Sequence, residues 1–314
     1  MADNEYIFAV ARTRVLETRL LSDAFIGQLV AAPDLDHCRR LLSEKGWDEN
    51  LTREEEKIWE TVKELGIPME SFDVLTYPKL YHNLKAAIKE AATPERHPAA
   101  FYKDTDPDPE RIVQLVQSKN FSSLPVHMRA VARDAYETFL HTQDGQLCDV
   151  MVDRACLEAI RDAGEAAEEQ VVRDYAGTTV EITDMKIAAR AAATGRSREF
   201  AEMALCPCNG INVKELAAAV QGGTEKVLAY LRKSARSEAA DALESSPSAF
   251  DIWCDNEMVK AMKPQKMNPF STGPVFAYVI GRQNEIKTVR IILTGKANGL
   301  SQDVIRERVR SMYG

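Results

Sequence analysis

The sequence predicts an all-α protein made of three similar helical modules, which can close around a pseudo-threefold axis. Three observations lead to this fold class. Apolar residues recur at the spacing of a helix face, glycine (15) and proline (13) are scarce among the 314 residues, and a short motif repeats about every 101 residues. A β-rich fold would need many more tight turns, which depend on glycine and proline.

The predicted helices begin at residues whose side chains cap helix N-termini. In the region 52–65, Thr52 and Glu55 have the spacing of a capping box, and Gly66 and Pro68 supply the stop. The last helix is predicted to include Met312. The six predicted helix starts are Asp34, Thr52, Asp108, Asn212, Thr224 and Ser301.

Four segments give a weaker signal. The β-branched runs 178–182 and 288–292 fit a strand or a helix, and their helical surroundings favour helix. The segments 94–109 and 263–274 contain several prolines, so we expect them to be irregular and to join modules.

The internal repeat consists of two separate matches. Asp149 and Asp153 correspond to Asp251 and Asp255, 102 positions later. A polar–apolar–lysine motif ends at Lys85, Lys186 and Lys287, at a constant spacing of 101 residues. The first module has no partner for the aspartate pair. Convergent amphipathic helices are the alternative explanation, but two matches at nearly one offset favour true modules.

The predicted modules cover 1–93, 94–196 and 197–314, and we leave open that the N- and C-terminal helices pack together. We interpret the paired aspartates as helix caps or first-turn acids rather than as acid–base pairs, because one active site is not usually duplicated. The repeated lysines are predicted to be solvated or salt-bridged.

Composition and motifs exclude several classes of function. The formal net charge of −8 offers no basic surplus for nucleic acid. The longest strongly apolar run, 275–280, is far shorter than the roughly twenty residues of a membrane-spanning helix, and no signal peptide is recognisable. Glycine-rich phosphate loops and the common hydrolase motifs are absent.

Six cysteines are spaced without a disulfide pattern, and we expect reduced thiols. Cys206 and Cys208 form a single pair without a second pair or a nearby histidine, whereas zinc needs about four ligands. We therefore predict no catalytic, cofactor-binding or metal-binding residue. A metal- or thiol-dependent enzyme that uses this cysteine pair remains a minor alternative.

Several stretches resemble one known family. The C-terminal stretch 276–313 is similar to the ending of the C (d) subunit family of V-type and A-type rotary ATPases, with the run 291–296 as a central element. Residues 8–21 resemble the opening helix of that family, and residues 81–85 resemble its first internal motif.

This resemblance implies a funnel of three helical subdomains and a non-catalytic role without cofactor. It implies one copy per hetero-oligomeric complex, located between the rotor shaft subunits D and F and the membrane proteolipid ring, on the cytoplasmic face. The chain would transmit torque for proton or sodium transport. An unrelated helical-repeat scaffold is the main alternative.

Overall fold

The computed structural model describes residues 6–92 and 98–314 and is all-helical. These residues contain no β-strand, and their one strand-like feature is an isolated bridge between Cys208 and Ile211. The all-α class predicted from helical periodicity is therefore confirmed.

Sixteen α-helices, together with short 3-10 turns, form the regular structure of the described residues. They are α1 (Ile7–Glu17), α2 (Asp23–Ala31), α3 (Leu35–Glu44), α4 (Leu51–Glu64), α5 (Asp73–Ala92), α6 (Pro109–Gln117), α7 (Arg129–Thr142), α8 (Gly145–Ala166), α9 (Gln170–Ala193), α10 (Arg198–Ala204), α11 (Val213–Gln221), α12 (Thr224–Leu231), α13 (Glu238–Ser245), α14 (Pro247–Met262), α15 (Gly273–Ala297) and α16 (Gln302–Arg306).

Four predicted caps are confirmed. The side chains of Asp34, Asp108, Asn212 and Ser301 each accept a hydrogen bond from the backbone N–H three residues later. This bond satisfies one of the orphan donors of the first helical turn, which is why these residue types begin helices. Helix α12 also begins at Thr224, as predicted.

Two predicted helix limits are wrong. Asn50, not Thr52, caps α4, because its Oδ1 accepts the N–H of Thr52 at 3.0 Å and the helix already begins at Leu51. The last helix ends at Arg306, so Met312 lies beyond it. Met312 is nevertheless buried, and its N–H donates to Asp23 at 3.1 Å. Its apolar character therefore reflects tertiary packing rather than helix periodicity.

Both ambiguous β-branched runs are helical. Residues 178–182 lie in the 24-residue helix α9, and residues 288–292 lie in the 25-residue helix α15. In the segment 263–274, residues 263–267 form a 3-10 turn and 268–272 a loop, as predicted, whereas Gly273 and Pro274 already begin α15. Residues 101–108 have no regular structure, and Pro109 begins α6. The remainder of the segment 94–109 includes residues 94–97, which lie outside the described part of the chain.

The chain forms two compact units, each assembled from separated stretches of sequence. The first contains residues 6–71, 167–178 and 236–314. Its central helix is α15, which is buried along much of its length and contacts α1, α3, α4 and α14. Burial on several sides explains why the sequence of α15 lacks a clear polar face.

The second unit contains residues 72–92, 98–166 and 179–235. Helix α5 packs against α6, α7 and α8, while α10 packs against α8 and α11, and α11 packs against α12. The three-module division, with limits at 93 and 196, stays a prediction.

No helix in the described part of the chain is long and apolar enough to cross a lipid bilayer. Even α15, with 25 residues, carries charged side chains at Arg282, Glu285 and Lys287 near its middle.

Candidate functional site

The polar residue of the repeated motif is buried in every copy. Asn83, Asp184 and Glu285 each precede a repeated lysine by two positions, and their exposed fractions are 0%, 0% and 1%. Burial of a polar group costs free energy unless a hydrogen bond compensates for it. Each of these side chains must therefore have a specific partner.

That partner is in each case the backbone of another chain segment. Asn83 Oδ1 accepts the N–H of Tyr102 at 2.9 Å, and its Nδ2 donates to the carbonyl of the same residue at 2.8 Å. Asp184 Oδ1 accepts the N–H of Cys206 at 3.0 Å. Glu285 Oε1 accepts the N–H of Leu21. The repeated motif thus fastens an irregular segment to a long helix.

Of the three buried side chains, Asp184 has the fewest hydrogen bonds to offset the cost of its burial. Its Oδ2 atom is buried and has no hydrogen-bond partner among the described residues. Burial raises the pKa of this carboxyl to about 7, although the hydrogen bond from Cys206 and the nearby charge of Arg154 oppose the shift. Asp184 is therefore a buried acid that titrates near neutral pH.

Glu285 belongs to a buried ionic cluster that is not apparent from the sequence. Arg282 contacts Glu285 at 2.5 Å and Glu54 at 2.6 Å, and its guanidinium lies 4.6 Å from the centre of the Trp47 ring. All of these side chains are largely buried. Arg282 and Glu54 are 228 positions apart, so no local pattern could have paired them.

The repeated lysines and aspartates meet in ion pairs. Lys85 contacts Asp153 at 2.6 Å in the second unit, and Lys287 contacts Asp255 at 2.7 Å in the first. Arg310 also contacts Asp255, at 2.9 Å. The prediction that these lysines are solvated or salt-bridged is therefore confirmed at Lys85 and Lys287. Lys186 also lines a cleft described below.

The interpretation of the paired aspartates as caps or first-turn acids is wrong. In α8 and α14 they occupy the fifth and ninth helical positions, beyond the first turn. The amide groups at the start of α8 are bonded by Asp144, and α14 is capped by Ser246. Side chains four residues apart share one helix face, and this face meets basic side chains of neighbouring elements.

A cleft of about 570 Å³ opens within the second unit, between α5, α8, α9 and α10. Its charged lining includes Asp149, Asp153, Lys186 and Arg190, while Tyr81, Leu157 and Ile160 provide apolar surface. Both signs of charge are present, and Lys89 holds Asp149 at 2.6 Å. The lining of the cleft is therefore mixed in charge and includes apolar surface.

The histidine and cysteine candidates do not come together. His127 is exposed and stacks on Tyr77 with ring centres 4.4 Å apart, and His37 is half-buried beside the buried Cys38. Within the described residues, no group of three or more histidine, cysteine or acidic side chains has the arrangement of a metal site. His97 lies outside the described residues.

All six cysteines are free. Cys206 and Cys208 lie in the loop between α10 and α11, where burial raises the pKa of Cys206 to about 12 and also raises that of Cys208. A thiol with a raised pKa stays protonated at neutral pH, and the protonated form is a poor nucleophile and a poor metal ligand. This loop is held by the hydrogen bond from Cys206 N–H to Asp184, and Arg154 and Arg161 also donate to its carbonyls at Leu205 and Pro207.

Comparison with known proteins gives consistent matches. Residues 9–308 match the model of the ATP synthase (C/AC39) subunit family. The chain is 20% identical to the C subunit of the V-type sodium ATPase of Enterococcus hirae over 313 residues, which cover 95% of each protein. It is 27% identical to the C subunit of the A-type ATP synthase of Methanocaldococcus jannaschii over 177 residues, which cover 52% of this chain and 44% of that protein. Because the family match extends over nearly the whole chain, this protein belongs to the ATP synthase (C/AC39) subunit family.

Proposed function

We propose that this chain is the non-catalytic central-stalk connector of a V/A-type rotary ATPase. One copy would link the rotor shaft subunits D and F to the membrane proteolipid ring, as a peripheral component on the cytoplasmic face. It would pass torque between ATP turnover and the transport of protons or sodium. The observation that carries this proposal is the family match over residues 9–308.

The repeated motif supports a mechanical role. Each copy uses a buried polar side chain to fasten a segment, and two copies add a lysine–aspartate pair. Packed protein interiors have low compressibility, so helices joined in this way transmit force with little deformation. A connector that transmits force gains stiffness from each repeated attachment, whereas a catalytic centre would not need three copies of the motif.

The cleft in the second unit supports a separable contact with the shaft. Its lining includes Arg190 and Arg196, which are exposed and which we call its edge, together with Asp149, Asp153 and Lys186. Polar and charged interfaces are typical of partners that associate and separate. We propose that the end of the shaft contacts this edge.

Affinity purification of the tagged full-length chain from native membranes tests the function. We expect the catalytic A and B subunits, the shaft subunits and the proteolipid to be recovered together with the chain. Recovery of an unrelated set of partners without ATPase subunits would instead support the helical scaffold alternative.

The shaft contact has a sharper test. Changing Arg190→Glu and Arg196→Glu together should weaken binding to a purified D/F pair by about tenfold, because two charges at the edge are reversed. The control changes Lys214→Glu and Lys226→Glu, which are exposed on α11 and α12 and do not line the cleft. Equal binding by both double variants would contradict the assignment of this edge.

A further inference from the structure

Helix α1 exposes an apolar face in addition to the face that it buries. Ala9, Val10 and Thr13 are buried within the first unit. Phe8 and Val15, on the other side, expose 67% and 52% of their surface. These two residues are seven positions apart, which places them within about 20° of each other around the helix. The helix therefore carries an outward apolar stripe.

The loop before α15 extends this stripe. Arg14 donates a hydrogen bond to the carbonyl of Lys266, which brings the loop beside α1. Ile7, seven residues before Arg14, lies on the same side of the helix and is exposed. Directly after Lys266, Met267 exposes 86% of its surface, and Phe270 exposes 60%. We call Ile7, Phe8, Val15, Met267 and Phe270 the apolar patch.

Exposed cations border the apolar patch. Arg12 lies beside the stripe on α1, Arg19 follows the end of this helix, and Lys263 lies in the segment before α15. None of these three side chains forms an ion pair with the residues that the structure describes. The whole protein, by contrast, has a formal charge of −8, so this cationic border is a local feature.

We propose that the apolar patch docks onto the surface of an anionic lipid bilayer. Apolar side chains in a row, flanked by arginine and lysine, are the pattern of helices that lie in a membrane interface. The apolar residues enter the headgroup region, while the cations contact lipid phosphates. Large exposed apolar side chains on a protein surface generally indicate a binding site. The proposal needs only this surface and stands independently of the rotary role.

Vesicle sedimentation with the purified full-length chain tests the proposal. Phosphatidylcholine vesicles containing roughly one-third phosphatidylglycerol should bind the chain at least about tenfold more tightly than phosphatidylcholine alone. Changing Phe8→Ser and Val15→Ser together should lower the binding about tenfold. The control, Val126→Ser, alters an apolar residue with 75% exposure in the second unit and should leave binding unchanged.

A second pair of variants tests whether the exposed cations beside the apolar patch contribute to vesicle binding. Changing Arg12→Gln and Arg19→Gln should weaken the binding and reduce its dependence on salt, because fewer charges are screened. Arg39→Gln with Arg133→Gln removes two exposed cations elsewhere and should have no effect. All altered residues are exposed, so unchanged thermal midpoints are expected and would show that the variants fold.

Two results would overturn the proposal. One is equal sedimentation of the wild type and the Phe8→Ser, Val15→Ser variant with anionic vesicles. The other is no binding of the wild type to anionic vesicles. If the Phe8→Ser, Val15→Ser variant then also lost binding to the detergent-solubilised proteolipid ring, the apolar patch would be a protein contact rather than a lipid contact.

Discussion

At the scale of single residues, the repeated motif has two distinct tasks. Its polar member, at Asn83, Asp184 or Glu285, is buried and bonds a distant backbone segment. Its lysine lies two positions later and pairs with an aspartate at Lys85 and Lys287. A buried polar group contributes specificity because a wrong partner would leave it unsatisfied.

The change Asp184→Asn should reduce the pH dependence of stability. The folded pKa of Asp184 is raised to about 7, above the ordinary value of 3.8. Between these values the folded state binds more protons than the unfolded state, so the stability of the wild type falls as pH rises from 4 to 7. The variant cannot ionise and should gain on the order of 3–4 kcal/mol relative to wild type between pH 4 and pH 8. Urea unfolding at both pH values measures this gain.

The control for this experiment is Asp162→Asn, because the Asp162 side chain is 63% exposed. Its stability should follow the wild type at both pH values. The same pH dependence in Asp184→Asn and wild type would show that Asp184 is ionised in the folded state throughout this range.

At the scale of helices, α15 organises the first unit through close contacts at two glycines. A Cβ atom at Gly281 would lie 2.9 Å from the Tyr313 ring, and one at Gly295 would lie 2.7 Å from Ile305. Glycine at these positions lets the C-terminal segment approach the helix backbone. Within the stretch 276–313, the C-terminal residues Ile305 and Tyr313 therefore pack directly against the backbone of α15 at Gly295 and Gly281.

Gly281→Ala should destabilise the protein by about 1–3 kcal/mol, because the buried Tyr313 ring has no space to move. The carbonyl of Tyr313 is also held by Lys266 Nζ at 2.7 Å.

Gly27→Ala is the matched control, since Gly27 is helical and exposed and has no atom within 4 Å of the position that an alanine methyl group would occupy. It should stabilise by up to about 1 kcal/mol through helix propensity. Chemical denaturation compares the two, and equal effects would contradict the packing argument.

The ion pairs between α14, α15 and the C-terminal segment should differ in strength. Asp255→Ala leaves the Arg310 side chain, which is 10% exposed, without its carboxylate and should cost about 2–4 kcal/mol. Lys287→Ala removes a side chain that is 49% exposed and should cost less than about 1 kcal/mol. Thermal unfolding of both variants measures the difference. A larger loss for Lys287→Ala would reverse this ranking.

At the scale of the whole molecule, separated parts of the chain build each compact unit. The first unit combines residues 6–71 with 236–314, and α1 and α4 both pack on α15. The amino-terminal helices therefore bury their apolar faces against a helix that comes more than two hundred positions later in the sequence. Such long-range contacts form only after the ends of the chain have met.

Expression of residues 1–93 alone tests whether the first predicted module is independent. We expect helical content without cooperative unfolding, because α1 and α4 lose the surface of α15. Circular dichroism during urea titration measures this. The control is a mixture with the fragment 98–314, which should restore a cooperative transition if association occurs. A sharp transition of 1–93 alone would support the predicted module.

Much of the fold was predictable from local sequence because its physical causes are local. Helical periodicity predicted the all-α class, and Asp34, Asp108, Asn212 and Ser301 cap helices because each bonds an amide only three residues away. The constant spacing of Lys85, Lys186 and Lys287 was also visible without coordinates. The choice of Asn50 over Thr52 was harder, since both residue types cap well.

The partner that each polar side chain meets could be found only from the packed chain. Glu54 and Arg282 are 228 positions apart, and the apolar patch joins α1 to a loop near residue 267. The burial of Asp184, which raises its pKa to about 7, likewise depends on chain segments that pack around it. Periodicity and capping act over a few residues, so local sequence suffices to specify the helices. Burial and charge pairing depend on distances in space, which the packing of the complete chain sets.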